Sequence, residues 1–340
     1  MIDIETFAGP LDDSGLESVG SLYGRVDPKY LQLAYLRHLF IENPYGWALH
    51  AFARDGDEVI GHCSVIPVRA RVGGRTADSG KVEAYVVDER YRRSRERGGE
   101  RPVALDLLWA VSDAAAERGI DPLHAYVTPH VGAIFERAGY RAQTTSARPY
   151  VLATSSPRRD VLRRALVVGQ SVPLTVVGAV GRGIAGTGPM QSEAATGADS
   201  KLVEPSNMDR SWTIAGNDSW DWFLASGSIR ALELPGRRGI RALVLTEAEA
   251  EQVQLLAWRP SRPGLASAVA LLAALAEFAK EGSARTVRIQ PWPSKEGDGA
   301  LVRACRLMGF IPRSPFTVYV RSARAIVEPV SPSPFFYATF

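Results

Sequence analysis

Cysteine is almost missing from this chain: Cys63 and Cys305 are the two present in 340 residues, far apart and in different halves. That usage excludes a disulfide framework and suits a reducing compartment, so a cytoplasmic location is expected. Long apolar runs are missing too. The longest apolar-looking tract, Val172 to Ile184, is broken by glycine and shorter than the roughly 20 residues a spanning helix needs. The opening Met1-Ile2-Asp3-Ile4-Glu5 is acidic and has no apolar core, which predicts no signal peptide and no membrane association. Histidine is sparse, with five residues, and none falls at a metal-ligand spacing. His62-Cys63 has no second pair to complete it, so no metal is expected. Neither a P-loop nor a G-x-S-x-G turn occurs. Gly181-Arg182-Gly183-Ile184-Ala185-Gly186 fits G-x-G-x-x-G, but the Thr187-Gly188-Pro189 that follows cannot open the helix which that fingerprint requires. Charge of one sign is not in excess either. A net charge of +3 does not by itself argue for a polyanion partner.

What is present reads as a soluble globular protein, with 46% hydrophobic and 23% charged residues. The length predicts two domains. In the first half, Asp27 as N-cap and Pro28 at N1 start a helix carrying Tyr30, Leu33, Leu36 and Phe40 at helical spacing. Apolar residues 47 to 54, an Asp55-Gly56 turn and residues 59 to 72 read as a hairpin. Gly73-Gly74 then turns the chain into a strand over 81 to 87 that holds Glu83. A helix follows from Pro102 to Arg118, with Gly119 ending it, then a strand over 124 to 128, a short helix over 131 to 138, and one strand from Tyr140 to Ala153. Residues 154 to 200 differ: a basic helix (Arg158, Arg159, Arg163, Arg164) leads into a Gly-, Ser- and Ala-rich linker.

The second half repeats that order. Ser219 to Leu224 stands where the Tyr30 helix stood, and Ala231 to Leu234 and Arg241 to Thr246 form a hairpin. Gln252 to Trp258 is the central strand, followed by a helix over 265 to 280, a strand over 287 to 289 and a helix over 299 to 307. Matching Gly309-Phe310 to Gly139-Tyr140 sets Phe135 opposite Cys305, and matching central strands sets Glu83 opposite Gln254. The fold class is therefore mixed α/β, two tandem domains with mostly antiparallel sheets flanked by helices: 1–153, a linker over 154–200, and 201–340.

The chemistry concentrates between Lys81 and Tyr140. A strand feeding an arginine- and glycine-containing loop onto a helix N-terminus is an anion cradle, because unpaired N–H groups and the helix dipole both favour negative charge there. Arg90, Arg92, Arg93, Arg95, Arg97 and Arg101 surround Gly98-Gly99. Their guanidinium forks suit phosphate oxygens, or else the loop is solvated and balanced by Asp88, Glu89, Glu96 and Glu100.

The order of strand, Tyr91-Arg92-Arg93, Gly98-Gly99, long helix and then Glu136-Arg137-Ala138-Gly139-Tyr140-Arg141 resembles the core of the GNAT (GCN5-related N-acetyltransferase) superfamily, in two copies covering roughly residues 20–150 and 201–322. The resemblance implies acetyl-CoA or another acyl-CoA held along Tyr85, Val86 and Val87 and by Arg92, Arg93, Arg95, Arg97, Gly98 and Gly99. It implies Glu83 as the base for a primary amine of a small molecule, with strand amides near Val86 polarising the carbonyl. Glu83 is otherwise a strand glutamate paired with Arg69 or Arg71. The match departs at Glu100 and Pro102. Phe135 stands where a tyrosine general acid is usual, with His124, His130, Tyr140 and Cys305 as alternatives or packing residues. Gln254 cannot act as a base, which puts the chemistry in the first copy. The same resemblance leaves two other readings open: a FemX-like aminoacyltransferase using tRNA, or a non-catalytic pair acting as a binding protein. A homodimer is compatible with each.

Overall fold

The computed structural model describes residues 2–24, 28–72, 75–92, 102–147, 149–154, 190–196, 211–214, 217–225, 229–235, 239–247, 251–260, 264–290, 298–313, 316–322 and 331–332. The first half runs β1 (Ile2–Gly9), α1 (Asp13–Tyr23), a 3-10 turn (Pro28–Leu31), α2 (Leu33–Phe40), β2 (Ala48–Asp55), β3 (Glu58–Val72) and β4 (Arg75–Val87). It continues with the helical turn α3 (Glu89–Arg92), α4 (Val103–Glu117), β5 (Leu123–Val127), α5 (Gly132–Arg137), β6 (Arg141–Ala147) and β7 (Tyr150–Ala153). Two edge pieces follow, β8 (Gln191–Ala194) and β9 (Ser211–Ile214). The repeat then reads α6 (Asn217–Ala225), β10 (Ile229–Leu234), β11 (Ile240–Glu247), β12 (Gln252–Pro260), α7 (Leu265–Glu281), β13 (Thr286–Ile289) and α8 (Asp298–Leu307), and ends in β14 (Ile311–Pro312), β15 (Phe316–Arg321) and β16 (Ser331–Pro332).

Two sheets result, as the duplicated pattern implies. One has the order β1-β2-β3-β4-β5-β15-β6, with β9 added to β3 and β16 to β9; the other is β14-β7-β13-β12-β11-β10-β8. Ladders are antiparallel except β4–β5, β12–β13 and β9–β16. The two orders match strand for strand, with one exchange. The last strand of each copy crosses over: β15 lies between β5 and β6, and β7 lies between β13 and β14. A single strand from Tyr140 to Ala153 was expected. The chain instead breaks before Pro149, which lacks an N–H for a ladder and whose carbonyl accepts from Arg313 N at 2.8 Å. Strand β8, inside the segment read as a linker, edges the second sheet. Residues 158–168 and the 181–186 glycine motif lie outside the described residues.

Two elements near the site depart from expectation. Helix α1 was not anticipated, although Asp12 caps it (Oδ1 accepts from Gly15 N, 2.8 Å) and Leu16, Val19, Leu22 and Tyr23 make a buried stripe. The expected helix carrying Tyr30 is split at Gln32 into the 3-10 turn and α2. The turn packs on α1 at Gly20, where any Cβ would stand 2.8 Å from the Tyr30 carbonyl oxygen.

One face of the first sheet packs on α4, through Val103, Leu107, Leu108 and Val111. Its other face carries α1 and α2 and continues into the second copy: Leu36, Leu39 and Phe40 share a core with Trp222, Leu243, Leu245 and Leu256. Trp222 stacks on His38 (5.2 Å) and donates to its carbonyl (2.9 Å). In the second sheet, α7 supplies the corresponding buried layer.

The exchange ties each sheet to both halves of the chain. In β15, Val318, Tyr319 and Val320 are buried, a burial that contributes roughly 2 kcal/mol per side chain. A chain ending at Pro312 is therefore expected to lose about 6 kcal/mol, comparable to the whole stability of a domain. Urea unfolding checks this, and a wild-type midpoint in the truncated chain would contradict it.

Candidate functional site

The site starts from a register defect. Ser64 pairs with Glu83 and His62 with Val86, so Ala84 and Tyr85 on β4 face the single residue Cys63 on β3. This is a β-bulge, and Ala84 adopts φ +50°, a left-handed conformation that costs a non-glycine residue about 1 kcal/mol. Strand β4 pairs with β5 through Gly80–Leu123 and Lys81–His124 and then parts from it. In the second copy a bulge at Leu256 sits at the same place, between Val244–Leu255 and Leu243–Ala257. There the parallel pair stays closed over four positions, Gln252–Thr286 to Leu255–Ile289.

Both matches made from the sequence hold. Counting back from the bulges sets Glu83 against Gln254. Tyr140 N bonds the Phe135 carbonyl as Phe310 N bonds that of Cys305, each at 2.9 Å, and the glycines between them have φ +86° and +75°.

Glu83 lies where β4 leaves β5, with a side chain 14% exposed. Its partners are Lys81 (Nζ to Oε2, 2.8 Å) and Tyr30, whose hydroxyl donates to Oε1 at 2.6 Å. Arg69 pairs with Asp78 instead (3.5 Å). Lys81 is buried, with Nζ 5.9 Å from the Tyr126 ring centroid. Burial, and the charge of Glu83 next to it, push the Tyr30 phenol well above its ordinary pKa.

Behind the bulge stand two buried histidines. His62 Nδ1 lies 3.2 Å from the Ala84 carbonyl, and its Nε2 lies 3.0 Å from His50 Nδ1. A carbonyl only accepts, so His62 carries its proton on Nδ1, and His50 must donate from its own Nδ1. Burial holds both rings neutral, His50 down to about 3 and His62 well below its usual value. The pair therefore anchors the carbonyl of the strained residue.

The other residues singled out fall as follows. Tyr85 turns to the α4 side, its hydroxyl on the Ala104 carbonyl (2.8 Å) and its ring edge-on to Phe135. Val86 packs on the α1 face, and the Val87 carbonyl accepts from Arg92 Nε (2.9 Å). Arg92 also reaches Glu89 (3.4 Å), and Arg90 pairs with Asp88 and Glu58. Arg93, Arg95, Arg97, Gly98 and Gly99 lie outside the described residues, as do Glu100 and Arg101. Tyr140 is a packing residue, bonded to Ser112 (2.7 Å). His130 is exposed and 3.3 Å from Thr128 Oγ1. His124 is buried and held neutral by burial and by Lys81. Cys63 and Cys305 are buried free thiols, and burial pushes that of Cys63 far up. Among the described residues no helix is long and apolar enough to cross a membrane, and no His/Cys/Asp/Glu group could hold a metal. The sequence reading missed Lys81, Tyr30 and the histidine pair. Lys81 was visible as the residue two before Glu83, on the same strand face; Tyr30 has no local signal.

Neither a family model nor a curated protein matches the sequence. Solved structures do match the fold. A tandem GNAT protein from the clavulanic acid biosynthesis pathway aligns over 94% of this chain and 99% of its own, at 16% identity and a TM-score of 0.57. Saccharomyces cerevisiae N-myristoyltransferase with bound myristoyl-CoA aligns over 96% and 80%, at 12% identity and 0.56. A GCN5-related N-acetyltransferase from Kribbella flavida aligns over 93% and 71%, at 15% identity and 0.51. The chain thus has the GNAT fold. Its two halves are GNAT-like folds in tandem, and the parallel central pair runs over two ladder positions in the first copy and four in the second.

Lys81→Met leaves the Glu83 carboxylate buried without its counter-charge and is expected to cost about 3–5 kcal/mol, most of it recovered by adding Glu83→Gln. Chemical denaturation checks this, and a single variant within 1 kcal/mol of wild type would show the pair to be solvated.

The histidines set a pH dependence. Their folded pKa values lie below the unfolded value near 6.5, so their contribution is complete above that pH and lost as pH falls. With His124, which burial and Lys81 also hold neutral, three rings each contribute a slope of about 1.4 kcal/mol per pH unit, so stability should drop by about 5 kcal/mol between pH 6.5 and 5. His62→Gln should flatten that slope by about a third. An unchanged slope would mean His62 is not buried neutral.

Proposed function

We propose that the chain is an N-acyltransferase that moves an acetyl or longer acyl group from coenzyme A to a primary amine of a small molecule, at the first copy. The observation that carries this reading is the parting of β4 from β5 beside Glu83, at a site closed in the second copy. Beyond Lys81 and His124 those strands exchange no further ladder pairs, so the β4 edge from Val82 to Val87 suits an extended acyl-pantetheine arm. The arginines of residues 93–101 would take the phosphates. Acyl-CoA would supply the activated thioester.

This chain's own residues do the rest. Glu83 accepts the proton that the attacking amine sheds, and Tyr30 holds that carboxylate in place. Lys81 offsets its charge, so the site stays close to neutral while the amine enters. Amides near Val86 polarise the carbonyl. Burial of Trp222, Leu243 and Leu256 against α1 and α2 lets the second copy wall the cleft and exclude water. One observation favours a second reading. Both Glu83 oxygens are engaged, as in a site that binds acyl-CoA without turning it over.

Acetyl-CoA, longer acyl-CoAs and CoA should each be tried in thermal unfolding. A ligand at a hundred times its Kd adds about 2.7 kcal/mol, and no shift with any of them contradicts the proposal. In amine-dependent CoA release, Glu83→Gln should lower kcat about 100-fold or more while Gln254→Glu leaves it unchanged. Stabilisation without release, for a broad amine panel, would select the binding reading.

A further inference from the structure

Phe135 cannot give the reacting group a hydrogen bond, but a phenol reaches the bulge from the opposite sheet face. Tyr23 is the last residue of α1 and is buried, and its hydroxyl has no hydrogen-bond partner among the described residues. Its ring is stacked on Tyr30 (4.7 Å between centroids) and lies edge-on to His62 (6.0 Å). Those two neighbours are the ones bonded to β4 at the bulge, Tyr30 to the Glu83 carboxylate and His62 to the Ala84 carbonyl. Burial pushes the Tyr23 phenol well above its ordinary pKa, and Cys63, Glu83 and Tyr85 add to that in turn. Those three residues are the bulge and its flank. The ring contacts put Tyr23 directly behind the bulge, against the two side chains bonded to Glu83 and Ala84, and its hydroxyl stays protonated, hence a donor. A buried donor left unpaired is a standing cost that a ligand's acceptor atom would remove.

We propose that the Tyr23 hydroxyl donates to the thioester carbonyl oxygen of the acyl carrier, joining the β4 amides as a donor to the oxygen where negative charge develops. This rests on the acyl-CoA reading. The carbonyl oxygen is the acceptor because a thioester sulfur accepts only weakly. In the transfer the amine nitrogen bonds the carbonyl carbon, and the carbon–sulfur bond breaks with its electron pair leaving on sulfur as thiolate. The amine proton passes to the Glu83 carboxylate. Tyr23 keeps its own proton throughout, as a neutral oxyanion donor does.

The test needs no acceptor amine. Calorimetry compares acetyl-CoA with S-ethyl-CoA, which has CH2 in place of the carbonyl, on wild type and Tyr23→Phe. Wild type should prefer acetyl-CoA, and Tyr23→Phe should lower that preference about fivefold or more with S-ethyl-CoA affinity unchanged. A preference kept in full by Tyr23→Phe, or none in wild type, overturns the role of Tyr23 while leaving the acyl-CoA reading intact. Wild type that binds neither compound overturns both.

Discussion

A strand that carries one residue too many has to bend, and in β4 the surplus falls at Ala84–Tyr85, opposite Cys63. Just before that bend, after Lys81 and His124, the ladder between β4 and β5 ends, which leaves a strand edge inside a sheet rather than at its rim. Such a distortion persists only if the surroundings over-determine it, since Ala84 sits at positive φ. His62 holds the Ala84 carbonyl, and Ser64 holds that of Glu83 (2.9 Å). The groups suited to chemistry, Glu83, Lys81 and Tyr30, gather on the same bend.

The second copy is an internal control. It keeps a bulge at the matching position, but its extra residue Leu256 is apolar, Gln254 replaces Glu83, and the parallel pair stays zipped to Leu255–Ile289. The two modules thus differ in how far the central parallel pair extends, two positions in the first and four in the second. The exchanged strands β7 and β15 and the core shared by α2, Trp222 and Leu243 bind the modules together.

Much of this was legible in the sequence because it is periodic. Strand and helix order, the tandem repeat and both cross-copy matches follow from apolar spacing and from Gly139 and Gly309, which need left-handed backbone. Helix α1 was equally legible from Asp12 and its apolar stripe, and went unread. The strand exchange was not legible, because local patterning tells a strand which face is buried but not which sheet receives it; Pro149 was its one trace. Glu83 could be singled out as a charge on a central strand. Its ties to Lys81 and Tyr30 depend on folding residue 30 onto residue 83, a long-range contact with no sequence signature.

Hydrogen exchange with and without acetyl-CoA tests the account most directly, because it reads the opened strand edge itself. The account predicts new protection confined to amides between Val82 and Val87, with the matching amides Val253 to Trp258 of the second copy unchanged. Protection appearing in the second copy, or in neither, would contradict it.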